Sequence, residues 1–185
     1  MNMEEIKAEV KATCIELLRQ TYWYAAKYSK DPSTQNAALV WDPYQKKVVG
    51  QSENRLMYYL PLSRHNEVWN NRALKYNRVI HAECAAINEV YRGLRGVVVG
   101  DWLVCPWATC RVCASHIADS GISTLVRHWP MHEQFEYTPG KIDWKKEVEI
   151  ADEILQDAAV RIITITEPLS MELLKIRVSG KEWSP

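Results

Sequence analysis

A strand–helix–strand pattern in the middle of the chain constrains its fold more than any other feature. Short apolar runs at about Asp101–Val104 and Ile122–Arg127 are typical of strands, and Cys110–Ser120 between them has the pattern of a helix that ends at Gly121. Two strands joined through a helix by short connections pair in parallel, with a right-handed crossover. The sequence therefore predicts an α/β fold.

The flanking sequence predicts further elements around this unit. Apolar residues recur with helical spacing in three more segments, and turn residues at Asp42–Gln45 separate two extended runs in a hairpin. The predicted helices are Glu4–Tyr28, Ala82–Tyr91 and Trp144–Ala158, and the further strands are Ala37–Trp41, Val48–Gly50 and Val160–Thr166. Together they predict a three-layer sandwich, a mixed and mostly five-stranded sheet with helices on both faces.

Three segments do not fit regular elements. Ser52–Asn77 is polar with weak periodicity, and we expect a lid or pocket-lining loop that contains a short helix. Trp129–Gly140 is broken by prolines and predicts a loop. The length suits one domain, residues 1–166, and we interpret residues 167–185 as a C-terminal tail.

The charge balance limits the partners that this chain can bind. It has 185 residues, with 23 Lys plus Arg against 23 Asp plus Glu, so the formal net charge is zero. Proteins that coat nucleic acid or lie on a membrane surface normally carry a basic excess, so both classes are disfavoured. No apolar run reaches the roughly 18 residues of a membrane span, and the acidic start Met1–Glu5 is unlike a secretory signal. We expect a cytoplasmic protein without a membrane partner.

The cysteines indicate a metal site more than disulfides. Three of the five, Cys105, Cys110 and Cys113, lie within nine positions. Their spacing matches the first three ligands of a plant-type iron–sulfur cluster, but no cysteine follows Cys113 to complete it. We therefore interpret Cys105 as a core or pocket residue, and Cys14 and Cys84 as buried apolar residues.

Two helix starts together predict a zinc site. Cys110 and Cys113 lie in the first turn of one predicted helix, where the helix N-terminus stabilises thiolates. His81 starts another helix, and three protein ligands leave one zinc position open, as in a catalytic site. Glu83, two residues beyond His81, is then placed to move protons. Alone, a Cys-x-x-Cys pair is often a redox pair or a chance occurrence, so the prediction depends on both helix starts together.

The pattern His81-Ala82-Glu83 followed by Cys110-x-x-Cys113 resembles the zinc-dependent nucleobase deaminases. Within that superfamily the chain is most similar to the deoxycytidylate (dCMP) deaminases, over roughly Tyr22–Thr166. The other segments that carry this resemblance are Ser29–Gln35, Asn54, Ser120–Ile122 and Ala151–Val160.

The sequence departs from that family's pattern at three places. Asn36-Ala37-Ala38 stands for Val-Gly-Ala, and Ser52-Glu53-Asn54-Arg55 stands for Gly-Tyr-Asn-Gly. Thr109 replaces the proline before the first zinc cysteine, with Trp107 close by. Because the glycines of these two family motifs are absent here, it stays open whether nucleotide effectors regulate this protein.

The resemblance implies a cytidine deaminase-like fold over residues 1–166, a Zn²⁺ cofactor and a homo-oligomer. It implies hydrolytic deamination of a small-molecule cytosine deoxynucleotide, dCMP to dUMP plus ammonia, with Glu83 transferring protons. The backbone amide of Ala82 is then expected to help hold the base, and Asn54 to contact sugar or base. An arginine of the Arg55–Arg78 segment is expected to bind the phosphate, with Arg55 and Arg78 as candidates.

Two other functions remain open at this point. A deaminase acting on a base in tRNA or single-stranded DNA has the same zinc signature, but neutral charge disfavours it. A non-catalytic zinc-binding module is the second alternative. Retention of Glu83 argues against such a module, since a purely structural site does not need this carboxylate.

Overall fold

The computed structural model describes residues 3–93, 96, 99–132 and 142–185, with backbone alone for residues 3–6 and 132. The helices are α1 (Met3–Tyr28), α2 (His65–Asn70), α3 (Arg72–Tyr76), α4 (Ala82–Arg92), α5 (Arg111–Ser120), α6 (Trp129–His132) and α7 (Trp144–Asp157). The strands are β1 (Ala37–Asp42), β2 (Lys47–Glu53), β3 (Arg55–Leu56), β4 (Val79–Ile80), β5 (Trp102–Val104), β6 (Thr124–His128), β7 (Arg161–Ile165), β8 (Ile176–Val178) and β9 (Lys181–Trp183).

The main sheet has five strands in the order β2-β1-β5-β6-β7. β1 pairs antiparallel with both β2 and β5, whereas β5, β6 and β7 are parallel. Trp102 on β5 lies opposite Thr124 on β6, so the strand–helix–strand unit forms as its sequence predicts. The mixed five-stranded sheet confirms the predicted fold class.

Strand side chains alternate between the two faces of this sheet, and each face is buried under its own layer. Val40, Leu103 and Leu125 belong to the core beneath α4, α5 and α7. Their chain neighbours, such as Leu39 and Val104, belong to the core beneath α1. Because both faces of the sheet carry apolar residues, a layer on each face is needed to remove those residues from water. The result is a three-layer arrangement.

Helix α4 packs close to β2, and Gly50 makes this approach feasible. A Cβ atom at Gly50 would lie 2.8 Å from the carbonyl oxygen of Ala86 and would also collide with the side chain of Val90. The glycine therefore lets α4, which follows His81, sit against the sheet at a short distance.

The polar segment before α4 contains more regular secondary structure than the predicted loop with one short helix. It contains a 3₁₀ turn at Leu62–Arg64 and the two short helices α2 and α3. Its ends are joined by the pairing of β3 with β4, in which Arg55 lies opposite Ile80. The segment therefore begins and ends at the β3–β4 pair, beside α4.

Part of the region predicted as a loop after β6 is helical. Residues 129–132, predicted as the start of a loop, form the single helical turn α6, because Pro130 suits the first turn of a helix. Residues 133–141 of that predicted loop lie outside the described residues.

No helix in the described part of the chain is long and apolar enough to cross a membrane.

The segment interpreted as a tail folds back onto the domain. β8 and β9 form an antiparallel hairpin, and Ile176, Val178 and Leu169 are buried. They share a core with Leu17 and Leu18 of α1. Residues 167–185 therefore cover part of the α1 face of the sheet.

Candidate active site

Two helix N-termini bring the predicted metal ligands together. His81 is the residue that caps α4, and Cys110 is the residue that caps α5, with Cys113 in its first turn. Neither cap side chain accepts a hydrogen bond from its own helix, so both side chains point away to meet each other. The positive ends of two helix dipoles thus converge on one point, which favours thiolate ligands.

The distances at this point fit a zinc ion. The Nδ1 atom of His81 lies 3.5 Å from Sγ of Cys110 and 3.4 Å from Sγ of Cys113. Tetrahedral zinc, with bonds of about 2.05 Å to nitrogen and 2.3 Å to sulfur, separates the two ligand atoms by about 3.6 Å. All three ligand atoms lie within 4.8 Å of one another. One imidazole and two thiolates are a zinc donor set that leaves a fourth position open.

Cys105 is not part of this group. Its sulfur is buried and accepts a hydrogen bond from Asn36 Nδ2 at 3.3 Å. Among the described residues, the group that can hold a metal consists of His81, Cys110 and Cys113. Cys105 therefore acts as a core residue in this fold, as its sequence position indicates.

The ionisable groups around the metal position are strongly perturbed. Burial raises the pKa of Glu83, in the first turn of α4, to about 7. The hydrogen bond with Cys113, together with the neighbouring His81, lowers the pKa of Cys110 to about 4, so this sulfur is a thiolate at neutral pH. Burial lowers the pKa of His81, but the hydrogen bond with Cys110 and the charge of Glu83 outweigh it and raise the pKa to about 9.

A cavity of about 310 Å³ opens onto this group. His81, Glu83 and Cys110 line it, together with Asn54. Apolar and aromatic side chains form another part of its wall, namely Val79, Trp107, Ala108, Ile142 and Trp144. A concave space in which polar groups converge beside an apolar and aromatic wall is a usual form of a small-molecule site.

Asn54 and Ala82 are joined by a hydrogen bond. The backbone N–H of Ala82 donates to Oδ1 of Asn54 at 3.0 Å, and Ala82 is buried. Nδ2 of Asn54 is 3.5 Å from the carbonyl oxygen of Thr34, a long contact. Asn54 lines the cavity, whereas Ala82 is not among the described lining residues and its N–H is bonded to Asn54.

Neither Arg55 nor Arg78 is among the described residues that line the cavity. The Arg55 guanidinium lies 3.8 Å from the ring centre of Tyr58 and 3.8 Å from Glu89. Arg78 donates to the carbonyl oxygen of Leu74 at 3.3 Å. Arg55 is thus directed toward Tyr58 and helix α4, and Arg78 toward helix α3.

Two cationic side chains of α3 do line the cavity. Arg72 is exposed and donates to the Tyr76 hydroxyl at 3.0 Å. Lys75 is mostly buried and forms an ion pair with the buried carboxylate of Asp31. Arg72 belongs to the arginine segment that the sequence indicates, and Asp31 lies in the Ser29–Gln35 segment that carries the family resemblance, whereas Lys75 carries no pattern that would have singled it out.

Sequence reasoning interpreted Cys84 as a buried apolar residue and assigned no role to Ser179, but both lie at the site. Cys84 is half-buried, and its sulfur lies 3.5 Å from Sγ of Cys113, beside the metal position. Ser179 comes from the turn between β8 and β9 and lines the cavity. Ser179 reaches the cavity through packing between elements far apart in sequence, so no local pattern could have revealed it.

Fold and site together define a zinc-dependent deaminase of the cytidine deaminase-like α/β class. The chain belongs to the cytidine and deoxycytidylate deaminase family, since the model of that family's zinc-binding region matches residues 13–128. Membership supports a hydrolytic deaminase that uses Zn²⁺. No curated protein shows significant sequence similarity to the chain.

Solved structures with the same fold are named for, or were solved with, different compounds. The dCMP deaminase of cyanophage S-TIM5, solved with dCMP and dUMP, is 16% identical, with a TM-score of 0.58 over 89% of this chain and 99% of its own. A diaminohydroxyphosphoribosylaminopyrimidine deaminase/reductase from Thermotoga maritima is 15% identical, with a TM-score of 0.52 over 83% and 36%. A mutant of the protein NE0047, solved with 8-azaguanine, is 15% identical, with a TM-score of 0.52 over 82% and 76%. At these identities the likeness establishes the fold.

Proposed function

We propose that this protein deaminates a cytosine deoxynucleotide, converting dCMP to dUMP and ammonia. One observation carries the proposal: a single cavity is lined by the zinc ligands His81 and Cys110, by Glu83, and by the cations Arg72 and Lys75. This combination suits a substrate with a reactive base at one end and a phosphate at the other. The similar fold of the S-TIM5 enzyme, solved with dCMP and dUMP, supports the same choice.

The chemistry at the base depends on Glu83. Zinc, when bound, supplies a coordinated water whose pKa is lowered to near 7. The Glu83 carboxylate would accept a proton from this water and pass it to ring nitrogen N3 as the water oxygen bonds to C4 of the base. It would then take the remaining proton from the new C4 hydroxyl and donate it to the amino group, which leaves as ammonia when the C4–N bond breaks and C4=O forms. Its pKa, raised to about 7 by burial, lets this group both accept and donate protons at neutral pH.

Asn54 is the proposed polar contact to sugar or base. Its Oδ1 is held by the N–H of Ala82, which fixes the orientation of the amide. Within the described part of the chain, Nδ2 has a long contact to Thr34, so it keeps donor capacity for the substrate. In this proposal Ala82 orients Asn54 and makes no direct contact with the base.

The phosphate is assigned to α3. Arg72 uses one donor on Tyr76 and has four further N–H donors for phosphate oxygens. Lys75 and Asp31 cancel each other's formal charge, so Arg72 supplies the net positive charge of this wall. A charge-assisted contact of this kind contributes roughly 1.5–3 kcal/mol. This assignment replaces Arg55 and Arg78, whose side chains lie outside the cavity lining.

A substrate comparison tests the proposal. Zinc-loaded protein is assayed for ammonia release from dCMP, dCTP, 5-substituted dCMP, deoxycytidine, a tRNA and single-stranded DNA. We expect dCMP to have the highest kcat/KM, at least about tenfold above deoxycytidine. Preference for a nucleic acid would point to the base-editing alternative, and no turnover of any compound would point to a zinc-binding module. A homo-oligomer and a cytoplasmic location stay predictions, the first tested by light scattering during size-exclusion chromatography.

A further inference from the structure

The C-terminal hairpin reaches the catalytic cavity. Ser179, in the turn between β8 and β9, is one of the residues that line it. The hairpin lies outside residues 13–128, the part of the chain matched by the family model. It therefore adds a wall to the cavity that the family's zinc-binding region does not supply.

Backbone hydrogen bonds hold the hairpin against the segment that precedes β1. The N–H of Gln35 donates to the carbonyl oxygen of Arg177 at 2.8 Å, and the N–H of Arg177 donates to Oε1 of Gln35 at 3.0 Å. The N–H of Gly180 donates to the carbonyl oxygen of Ser33 at 2.7 Å. These bonds join residues about 145 positions apart, so the turn has a defined place beside Ser33–Gln35.

This place is next to the cationic wall. Oδ1 of Asp31 accepts hydrogen bonds from the backbone N–H of Ser33 at 2.8 Å and of Thr34 at 3.1 Å. The same oxygen binds the ammonium of Lys75, and the N–H of Ser179 approaches Oγ1 of Thr34 at 3.4 Å. Asp31 thus connects the hairpin turn to Lys75, and the cavity is lined by Asp31, Ser33, Thr34, Lys75 and Ser179.

We propose that Ser179 is a substrate-binding residue that lies beside the phosphate of the nucleotide, with the C-terminal hairpin closing that end of the cavity. The proposal rests on the function proposed above. A serine hydroxyl can donate one hydrogen bond to a phosphate oxygen. Gln35 and Gly180 are positioning residues, because their bonds place the turn.

The test compares Ser179→Asp with Ser179→Asn. The backbone at Ser179 has a φ of 52°, a left-handed conformation that Asn and Asp tolerate better than other side chains with a Cβ. The two variants have nearly the same size, and Asp alone adds a negative charge. Truncating the hairpin would be a poor test, because Ile176 and Val178 are part of the core.

For dCMP we expect Ser179→Asp to have a KM at least about tenfold above that of Ser179→Asn, with kcat values within about threefold, because like charges repel. For deoxycytidine, which lacks the phosphate, the two variants are expected to have equal KM values. Both variants must bind zinc as the wild type does. If the two variants have equal KM values for dCMP, whether or not these exceed the wild-type value, the proposal is wrong.

Failure of the proposed function gives a different result. If the wild type does not deaminate dCMP, that function is wrong, and the two variants are then compared on the phosphorylated nucleotide that the wild type does deaminate. A KM rise specific to Asp there still supports a phosphate beside Ser179. If the substrate carries no phosphate, or both variants have the same KM, the proposal for Ser179 is wrong as well.

Discussion

Nδ1 of His81 lies 3.4 Å from Sγ of Cys113, although 32 positions separate the two residues in the chain. The contact joins the N-terminal ends of α4 and α5, and a zinc ion held there links both helices. Because the site forms only in the folded chain, the free energy of zinc binding adds to the stability of the fold.

Replacing Cys113 by Ser should therefore remove zinc and destabilise the protein. We expect less than about one tenth of the wild-type zinc content by elemental analysis, and a lower melting temperature that added zinc does not restore. Cys84→Ala is the matched control, because Cys84 lies beside the site without belonging to the metal group. If Cys113→Ser kept its zinc and Cys84→Ala lost it, the ligand assignment would be wrong.

Glu83→Gln should keep the zinc and the fold but lose turnover. The amide has nearly the same shape as the carboxylate and cannot accept and return protons. We expect kcat to fall by about 100- to 10,000-fold, the usual contribution of a general acid–base group. Ammonia release and zinc content are measured on the same sample. A variant that retained most of the wild-type kcat would rule out the proposed role of Glu83.

Arg72→Gln should lower kcat/KM for dCMP by about tenfold or more and leave deoxycytidine nearly unaffected. The reason is the loss of one charge-assisted contact to phosphate, worth roughly 1.5–3 kcal/mol. Arg78→Gln is the comparison that separates the two assignments, since Arg78 is bonded to the Leu74 carbonyl outside the cavity lining. A selective loss in Arg78→Gln with none in Arg72→Gln would favour the assignment made from sequence.

Acid should destabilise the fold through His128. This residue is fully buried, and its Nδ1 accepts a hydrogen bond from the Tyr22 hydroxyl at 2.7 Å, because Nε2 donates to the carbonyl oxygen of Glu167 at 3.0 Å. Burial lowers the pKa of His128 below its ordinary value of about 6.5. Between the two pKa values the unfolded chain binds a proton that the folded chain does not, so the free energy of unfolding falls as pH falls.

The measurement compares the wild type with His128→Gln, whose side chain does not titrate. Urea unfolding of zinc-saturated protein is followed from pH 7.5 to 5. We expect the wild type to lose more stability than the variant over this range, by up to about 1.4 kcal/mol per pH unit. Parallel pH curves for the two proteins would show that His128 does not cause the acid sensitivity.

Gly50→Ala should destabilise the protein although it only adds a methyl group. The added Cβ would lie 2.8 Å from the carbonyl oxygen of Ala86, and overpacking of this kind typically costs about 1–3 kcal/mol. Gly93→Ala is the control, because its Cβ would stay 3.5 Å from the nearest atoms, the backbone oxygens of Glu89 and Val90. Equal unfolding free energies for the two variants would contradict the close contact between β2 and α4.

The sequence by itself determined the fold class and the chemistry at the metal. Alternating and helical apolar patterns specify strands and helices locally, and Cys110 with Cys113 at a helix start is a local zinc half-site. His81 followed by Glu83 completes the set on a second helix start. Such patterns are legible because both the ligand spacing and the helix dipole act within one or two turns.

Tertiary structure decided which side chains reach the cavity. Arg55 and Arg72 belong to the same polar segment, and no local sequence pattern distinguishes their roles. In the structure Arg55 stacks on Tyr58, whereas Arg72 lines the cavity. The final residues have no motif, and the burial of Ile176 and Val178 against α1, together with the hydrogen bonds to Ser33–Gln35, brings Ser179 to the site. The direction of a side chain depends on what packs around it, and those neighbours lie up to about 145 positions away in this chain.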